Sequence, residues 1–183
     1  LTDEQIEKIV EEIIEPSIKG CQVEGFPFRG IMFLGLMMTE SGAKVLEYNV
    51  RFGDPETQVI LMQLETDLVE ICEAILSQNL DNLQIEWQKG SAACVVIASR
   101  GYPSKAQTGD IIYGLDLAER RENTEIFHAG TSQDERGHFI TSGGRVLGVT
   151  AMGENLNEAL DRVYLAVNDI SFNGMQYRRD IGK

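Results

Sequence analysis

Three polar side chains recur at every second position between Leu46 and Phe52: Glu47, Asn49 and Arg51. Alternate residues of a β-strand share a face, so this spacing predicts that a carboxylate, an amide and a guanidinium point one way. Leu46, Tyr48, Val50 and Phe52 then turn to the other side, into packing. A rise of about 3.3 Å per residue separates same-face neighbours by roughly 6.6 Å, close enough for a carboxylate and an amide carbonyl to grip one cation. Both are hard oxygen donors of the kind Mg²⁺ takes, and Mg²⁺ is commonly held by one or two such ligands together with substrate phosphates. Arg51 adds a planar fork suited to a phosphate or a carboxylate. Directly afterwards, Gly53-Asp54-Pro55-Glu56 reads as a helix start, with Asp54 as N-cap and Pro55 at the first helical position. Free N–H groups and the dipole at such an end favour an anion, so metal and phosphate could meet here. An alternating Glu, Asn and Arg also describes an ordinary solvated sheet face, and it is the turn that follows which sets this stretch apart.

The elements that must carry these residues are legible in the flanking pattern. Thr2-Asp3-Glu4-Gln5 is a capping box, and Ile6, Ile9, Val10 and Ile13 follow at helical spacing up to Pro16. Ile31 to Thr39, the turn Glu40-Ser41-Gly42, and Ala43 to Arg51 predict a hairpin. Helices are expected from Asp54 through Leu64 and from Asp67 to Leu76. From Ser91 the texture changes to short strand-like runs, at Ala92 to Ser99, Asp110 to Tyr113, Glu125 to His128, His138 to Thr141 and Arg145 to Thr150. A helix through Leu156, Ala159, Leu160, Val163 and Val167 closes the chain, ending near Asn173-Gly174. The fold class expected is α/β (α+β): an antiparallel sheet with helices against it over residues 1–89, then a smaller β-rich domain over 90–183 closed by one helix.

Composition excludes several classes. The chain has 183 residues, 43% hydrophobic and 25% charged, as expected of a globular protein with a real core. No apolar run reaches the roughly 18 residues of a bilayer-spanning helix, so no membrane partner is expected. Sixteen Lys and Arg against 29 Asp and Glu give a net charge of -13, the wrong sign for holding nucleic-acid phosphates. Residues 1–90 carry 6 basic and 17 acidic side chains, so the second half is the richer in arginine. Cys21, Cys72 and Cys94 form no metal or disulfide pattern; buried positions and a cytoplasmic, reducing setting are expected for them. Met32, Met37 and Met38 read as strand core. The opening Leu1-Thr2-Asp3-Glu4 has no initiator Met, and a chain cut from something longer is expected.

Glu47-Tyr48-Asn49-Val50-Arg51-Phe52-Gly53-Asp54-Pro55-Glu56-Thr57-Gln58 resembles the signature of the glycinamide ribonucleotide synthetase (phosphoribosylamine-glycine ligase) family, ATP-grasp enzymes of purine biosynthesis. Further pieces resemble that family's C-terminal half in order and spacing. They are Phe28-Arg29-Gly30, Gly101-Tyr102-Pro103, His128-Ala129-Gly130-Thr131, Gly143-Gly144-Arg145-Val146-Leu147-Gly148-Val149, and Phe172 to Gly182. The resemblance covers essentially the whole chain. It implies ATP- and Mg²⁺ (or Mn²⁺)-dependent joining of glycine to 5-phosphoribosylamine through glycyl phosphate. Glu47 and Asn49 match the metal ligands, and Arg51 the group that steadies the acyl-phosphate oxygens. It also implies that the substrate domain and glycine-rich lid precede this region, so that the partner required is the N-terminal part of the same polypeptide and the piece alone does not turn over. The strand from Phe33 to Thr39 lacks the additional metal-binding acid that many ATP-grasp enzymes carry; Glu40 falls in the turn.

Other residues admit both structural and substrate-facing readings. Gly53 and Asp54 in the turn, Gly144 and Arg145 in Ser142-Gly143-Gly144-Arg145, and His128 are candidates to meet substrate or phosphate through backbone, guanidinium or imidazole. Two rival functions remain open: another ATP-grasp ligase or carboxylase acting on a different acid, and a noncatalytic binding module.

Overall fold

Thr2 begins the first helix through the reciprocal bonds its residue type allows. Its Oγ1 accepts from the Gln5 N–H at 3.3 Å, and Gln5 Oε1 accepts from the Thr2 N–H at 2.9 Å. The computed structural model describes residues 1–182. Helices are α1 (Asp3–Ile9), α2 (Glu15–Val23), α3 (Glu56–Gln63), α4 (Leu68–Leu76), α5 (Leu115–Glu119) and α6 (Leu156–Asp169). Strands are β1 (Phe33–Thr39), β2 (Gly42–Asn49), β3 (Ser91–Ala98), β4 (Thr124–His128), β5 (Thr131–Gln133), β6 (Phe139–Thr141) and β7 (Arg145–Gly153). All paired strands are antiparallel, and the mixed helix and antiparallel-sheet class expected from the sequence is the one found.

The first helix does not stop at Pro16. A widened π turn at Val10–Ile14 joins α1 to α2, and Pro16 sits in the first turn of α2. Proline lacks an N–H and crowds the carbonyl four residues back; the wider turn just upstream accommodates both faults. Ser17 Oγ adds a bond to the Ile13 carbonyl at 2.5 Å.

The chain divides into two units. One comprises Leu1–Gly53 and Asp67–Gln84; the other comprises Asp54–Thr66 and everything from Ile85. This differs from a single cut after residue 89, because α3 packs on β3 and β7. Where the chain leaves α3, it is sewn to the segment that returns before β3. Glu65 N–H donates to Glu86 O at 3.0 Å, Glu86 N–H to Thr66 Oγ1 at 2.7 Å and Gln88 N–H to Gln63 O at 2.7 Å.

In the first unit, β1 and β2 pair from Phe33↔Asn49 to Thr39↔Gly42, with a bulge that leaves Leu46 without a partner. The packing expected for the apolar side of β2 is not found: Leu46, Tyr48 and Val50 are 64%, 53% and 69% exposed, and Met37 and Met38 are exposed too. None of the cysteines is fully buried, and Cys72 is exposed on α4, a helix that buries Ile71 alone. A two-stranded ribbon and lightly covered helices leave apolar flanks on the surface.

The second unit holds the core. Its sheet runs β3-β7-β4, with β7 central. Val95↔Val149, Ala93↔Ala151 and Ile97↔Leu147 are cross-strand pairs on one face, and with Val163, Ala166, Val167 and Ile170 they form the buried cluster. Cys94↔Thr150 and Val96↔Gly148 occupy the opposite face, where Gln58 of α3 lies near Gly148. Asp110 to Tyr113, expected as a strand, forms only isolated bridges, Ile111↔Ile140 and Tyr113↔Ser171. The last helix ends at Asp169, and the segment beyond it is tied back by Tyr164, whose hydroxyl donates to Arg178 O at 3.0 Å and accepts from Ile181 N–H at 3.2 Å. Among the described residues no helix is long and apolar enough to cross a membrane.

Candidate active site

Downstream of the bulge the alternation of β2 is intact, so Glu47 and Asn49 project from one face of the ribbon. Gly35 lies directly opposite Glu47, and a Cβ there would come within 2.9 Å of Glu47 Cγ; the glycine leaves the space that this side chain occupies. On the other side Tyr48 is fixed by its hydroxyl, 2.8 Å from Ser17 Oγ. Asn49 is half-buried and Glu47 exposed. Together they offer a carboxylate and an amide oxygen, a donor set that suits a hard cation sharing its remaining positions with phosphate and water. Among the described residues, no group of three or more His, Cys, Asp or Glu converges as a metal cluster.

The strand ends at Asn49, two residues earlier than its sequence pattern predicts. Arg51 therefore lies in a bend, where its Nη1 donates to the neighbouring Phe52 carbonyl at 2.9 Å. Gly53 is buried. The expected cap also differs: α3 begins at Glu56, Pro55 occupies the N-cap position, and no side chain caps the helix. Pro55 is thus one residue too early to be the first helical position, and Asp54 is freed from capping. Its carboxylate is taken up otherwise. Oδ1 accepts from Gln58 Nε2 at 3.0 Å, Oδ2 lies 3.2 Å from Arg145 Nη2, and Arg145 Nη1 donates to the Asp54 carbonyl at 3.0 Å. Two candidates read from separate parts of the sequence, Asp54 and Arg145, are thereby joined.

The strand order gathers the remaining candidates. The C-terminal ends of β3 and β4 and the start of β7 lie at one end of the antiparallel sheet, so the loops after Ala98, after His128 and before Arg145 share it. Ser99, 1% exposed, binds them together: its Oγ donates to Gly143 O at 2.8 Å and its N–H to Gly144 O at 2.9 Å. Gln176 Nε2 donates to Ser99 O at 2.5 Å, bringing in the segment after α6. The Gly143 turn also meets the His128 loop, with Ser142 N–H donating to Gly130 O at 2.7 Å. Gly144 must lack a side chain, because its Cβ would stand 2.5 Å from the Tyr102 ring. His128 packs its ring on Phe139, with centroids 4.5 Å apart, and its Nδ1 lies 2.9 Å from Thr131 Oγ1.

Sequence reasoning assigned no role to Ser99, Gln58 or Gln176. Gln58 had a signal, being four residues after Asp54 on a helix. Ser99 and Gln176 had none, since their partners are 44 and 77 residues away.

Two family models match the chain. "Phosphoribosylglycinamide synthetase, ATP-grasp (A) domain" covers residues 1–57, and "Phosphoribosylglycinamide synthetase, C domain" covers residues 92–183. The chain is 45% identical over 182 residues to the phosphoribosylamine-glycine ligase of Rhizobium meliloti, spanning all of this chain and 42% of that one. It is 46% identical over 177 residues to that of Vigna unguiculata, spanning 95% of this chain and 57% of the relative. The crystal structure of phosphoribosylamine-glycine ligase from Thermotoga maritima superposes with a TM-score of 0.81 at 33% identity, over 98% of this chain and 44% of that one. The chain thus spans about half the length of the relatives it matches, or less. With the C-domain model covering half of it and the ATP-grasp model ending just past the Glu47-Asn49-Arg51 stretch, the chain belongs to the phosphoribosylglycinamide synthetase family.

Proposed function

We propose that the complete polypeptide carrying this sequence joins glycine to 5-phosphoribosylamine at the expense of ATP, in the cytoplasm. The glycine carboxylate attacks the γ-phosphorus, the bond to ADP breaks, and glycyl phosphate forms. The ribosylamine nitrogen then attacks the glycyl carbonyl and expels phosphate, leaving glycinamide ribonucleotide. The observation that carries this reading is the shared face of Glu47 and Asn49 on β2, running directly into Arg51 within a chain matched along most of its length to one family.

Glu47 and Asn49 would hold Mg²⁺, or Mn²⁺ in its place. When bound, the ion neutralises phosphate charge as the γ-phosphoryl group is transferred. Arg51 would turn its guanidinium from the Phe52 carbonyl to the acyl-phosphate oxygens, where a planar donor pair matches two oxygens at once. His128, with Nδ1 engaged by Thr131, keeps Nε2 to meet a substrate, and the backbones of Gly53 and Gly144 allow close approach of an anion.

The test is ADP release that depends on both glycine and ribosylamine. Glu47→Ala with Asn49→Ala, in the complete polypeptide, is expected to lower the rate by about a hundredfold or more while leaving the fold intact. An active double variant would sink the mechanism. ADP release from the unaltered protein with some other acid, and none with glycine, would assign it to a different ATP-grasp ligase.

A further inference from the structure

Asp54 is the first residue of the second unit, and the chain reaches it directly from Glu47, Asn49 and Arg51. It is held more thoroughly than a surface turn requires. Arg145 grips its main-chain carbonyl and one carboxylate oxygen, and Gln58 takes the other oxygen. Gln58 is constrained in turn: its side chain lies against Gly148, and its Oε1 is buried without a hydrogen-bond partner. An amide that leaves its oxygen unpaired in order to keep its nitrogen on Asp54 has its orientation set by that carboxylate. Behind Arg145, the two preceding glycines hang on the buried Ser99.

We infer that Asp54 and Arg145 are positioning residues that fix the course of the chain as it leaves the Glu47-Asn49-Arg51 segment, and that neither contacts substrate. Both oxygens of the Asp54 carboxylate are taken, and Arg145 gives one N–H from each Nη to Asp54, so an anion gripped by that same pair of donors would displace the clamp. Both side chains are more than two-fifths exposed, and an ion pair of that kind contributes little to stability; what it can supply is direction. A fork that spans a carbonyl and a carboxylate together is a shape a lysine does not reproduce. The inference rests on the ligase reading for its kinetic readout, but not for its structural one.

The complete polypeptide is assayed as wild type, Arg145→Gln, Arg145→Lys, Asp54→Asn, and the Arg145→Gln/Asp54→Asn double variant. Positioning predicts that each single variant loses about tenfold or more in kcat, with each KM changed by less than about threefold. The double variant is expected to be no slower than the slower single one, and Arg145→Lys not to restore the rate. Amide hydrogen exchange at residues 59–62, whose N–H groups bond back to the carbonyls of the first turn of α3, is expected to quicken by about tenfold or more in Arg145→Gln, with the core of the second unit unchanged. A raised KM for one substrate with kcat intact would mark direct contact and overturn the inference, as would a wild-type kcat in Arg145→Gln. If the wild-type protein releases no glycine-dependent ADP, it is the ligase reading that fails. Exchange then decides alone: unchanged rates at residues 59–62 overturn the inference, and faster rates sustain it.

Discussion

Cys94 and Cys72 carry the same thiol in opposite surroundings. Cys94 lies on β3 beside Thr150 and Gly148, and burial pushes its thiol above the usual range for cysteine. Cys72 faces solvent on α4. Since the thiolate is the reactive form, Cys72 is expected to be alkylated well before Cys94 at about pH 8, which mass spectrometry of partially labelled protein would read directly. Equal rates would mean that the α3 side of the sheet opens readily. Residue type alone says only that cysteines tend to be inside; the number of layers over each position decides which ones are. The same limit applies to Asp54, whose place before a proline reads as a cap but whose carboxylate goes to Arg145, 91 residues on.

At the scale of elements, α6 follows its pattern closely. Asn155 caps it, accepting from the Glu158 N–H at 3.1 Å, and Ala159, Val163, Ala166 and Val167 make a buried stripe at spacings of three and four. Val163→Ala is expected to cost roughly 2–3 kcal/mol, because the cavity left under a rigid sheet cannot close. Asn155→Ala is expected to cost about 1 kcal/mol through the lost cap. Urea unfolding of the complete polypeptide, followed by a probe in the second unit, would check both, and a Val163→Ala as stable as wild type would mean that the core is loosely packed. Helix α1 shows the complementary case. Its capping box sets the start as the sequence requires, yet the expected stop at Pro16 is bypassed by a π turn.

For the whole molecule, Arg121 with Asp169, 48 residues apart, is a long-range pair whose contribution can be read from pH. Arg121 Nη2 donates to Asp169 Oδ1 at 2.9 Å, and Nε contacts Oδ2. The hydrogen bond to the guanidinium holds the Asp169 carboxyl below its ordinary range. A carboxyl whose folded-state pKa is depressed stabilises the fold above its unfolded value, about 3.9, and that contribution disappears as the pH falls through the lower folded value. Melting temperature is therefore expected to drop in acid more steeply for wild type than for Asp169→Asn. Parallel curves below about pH 4 would show that the pair adds nothing. Between the units the chain crosses at Gly53/Asp54 and Thr66/Asp67 and returns before Ile85, so one stretch of sequence serves two packing units. No composition shift marks the departure of Asp54–Thr66, which is why a single cut near Gly90 is what the sequence suggests.

Local rules were enough to read the hairpin, the Glu47 and Asn49 face, the start of α1, the stripe of α6 and the family, because each depends on residues a few positions apart or on a contiguous signature. Tertiary structure alone decided that β2 stops before Arg51, that its apolar side stays exposed, that α3 joins the second unit, and that Ser99, Gly144, Gln176, Arg145 and Asp54 meet. Those outcomes turn on which surfaces find a partner and which hydrogen-bonding groups are left over. That competition is settled between segments tens of residues apart, and spacing along the chain does not encode it.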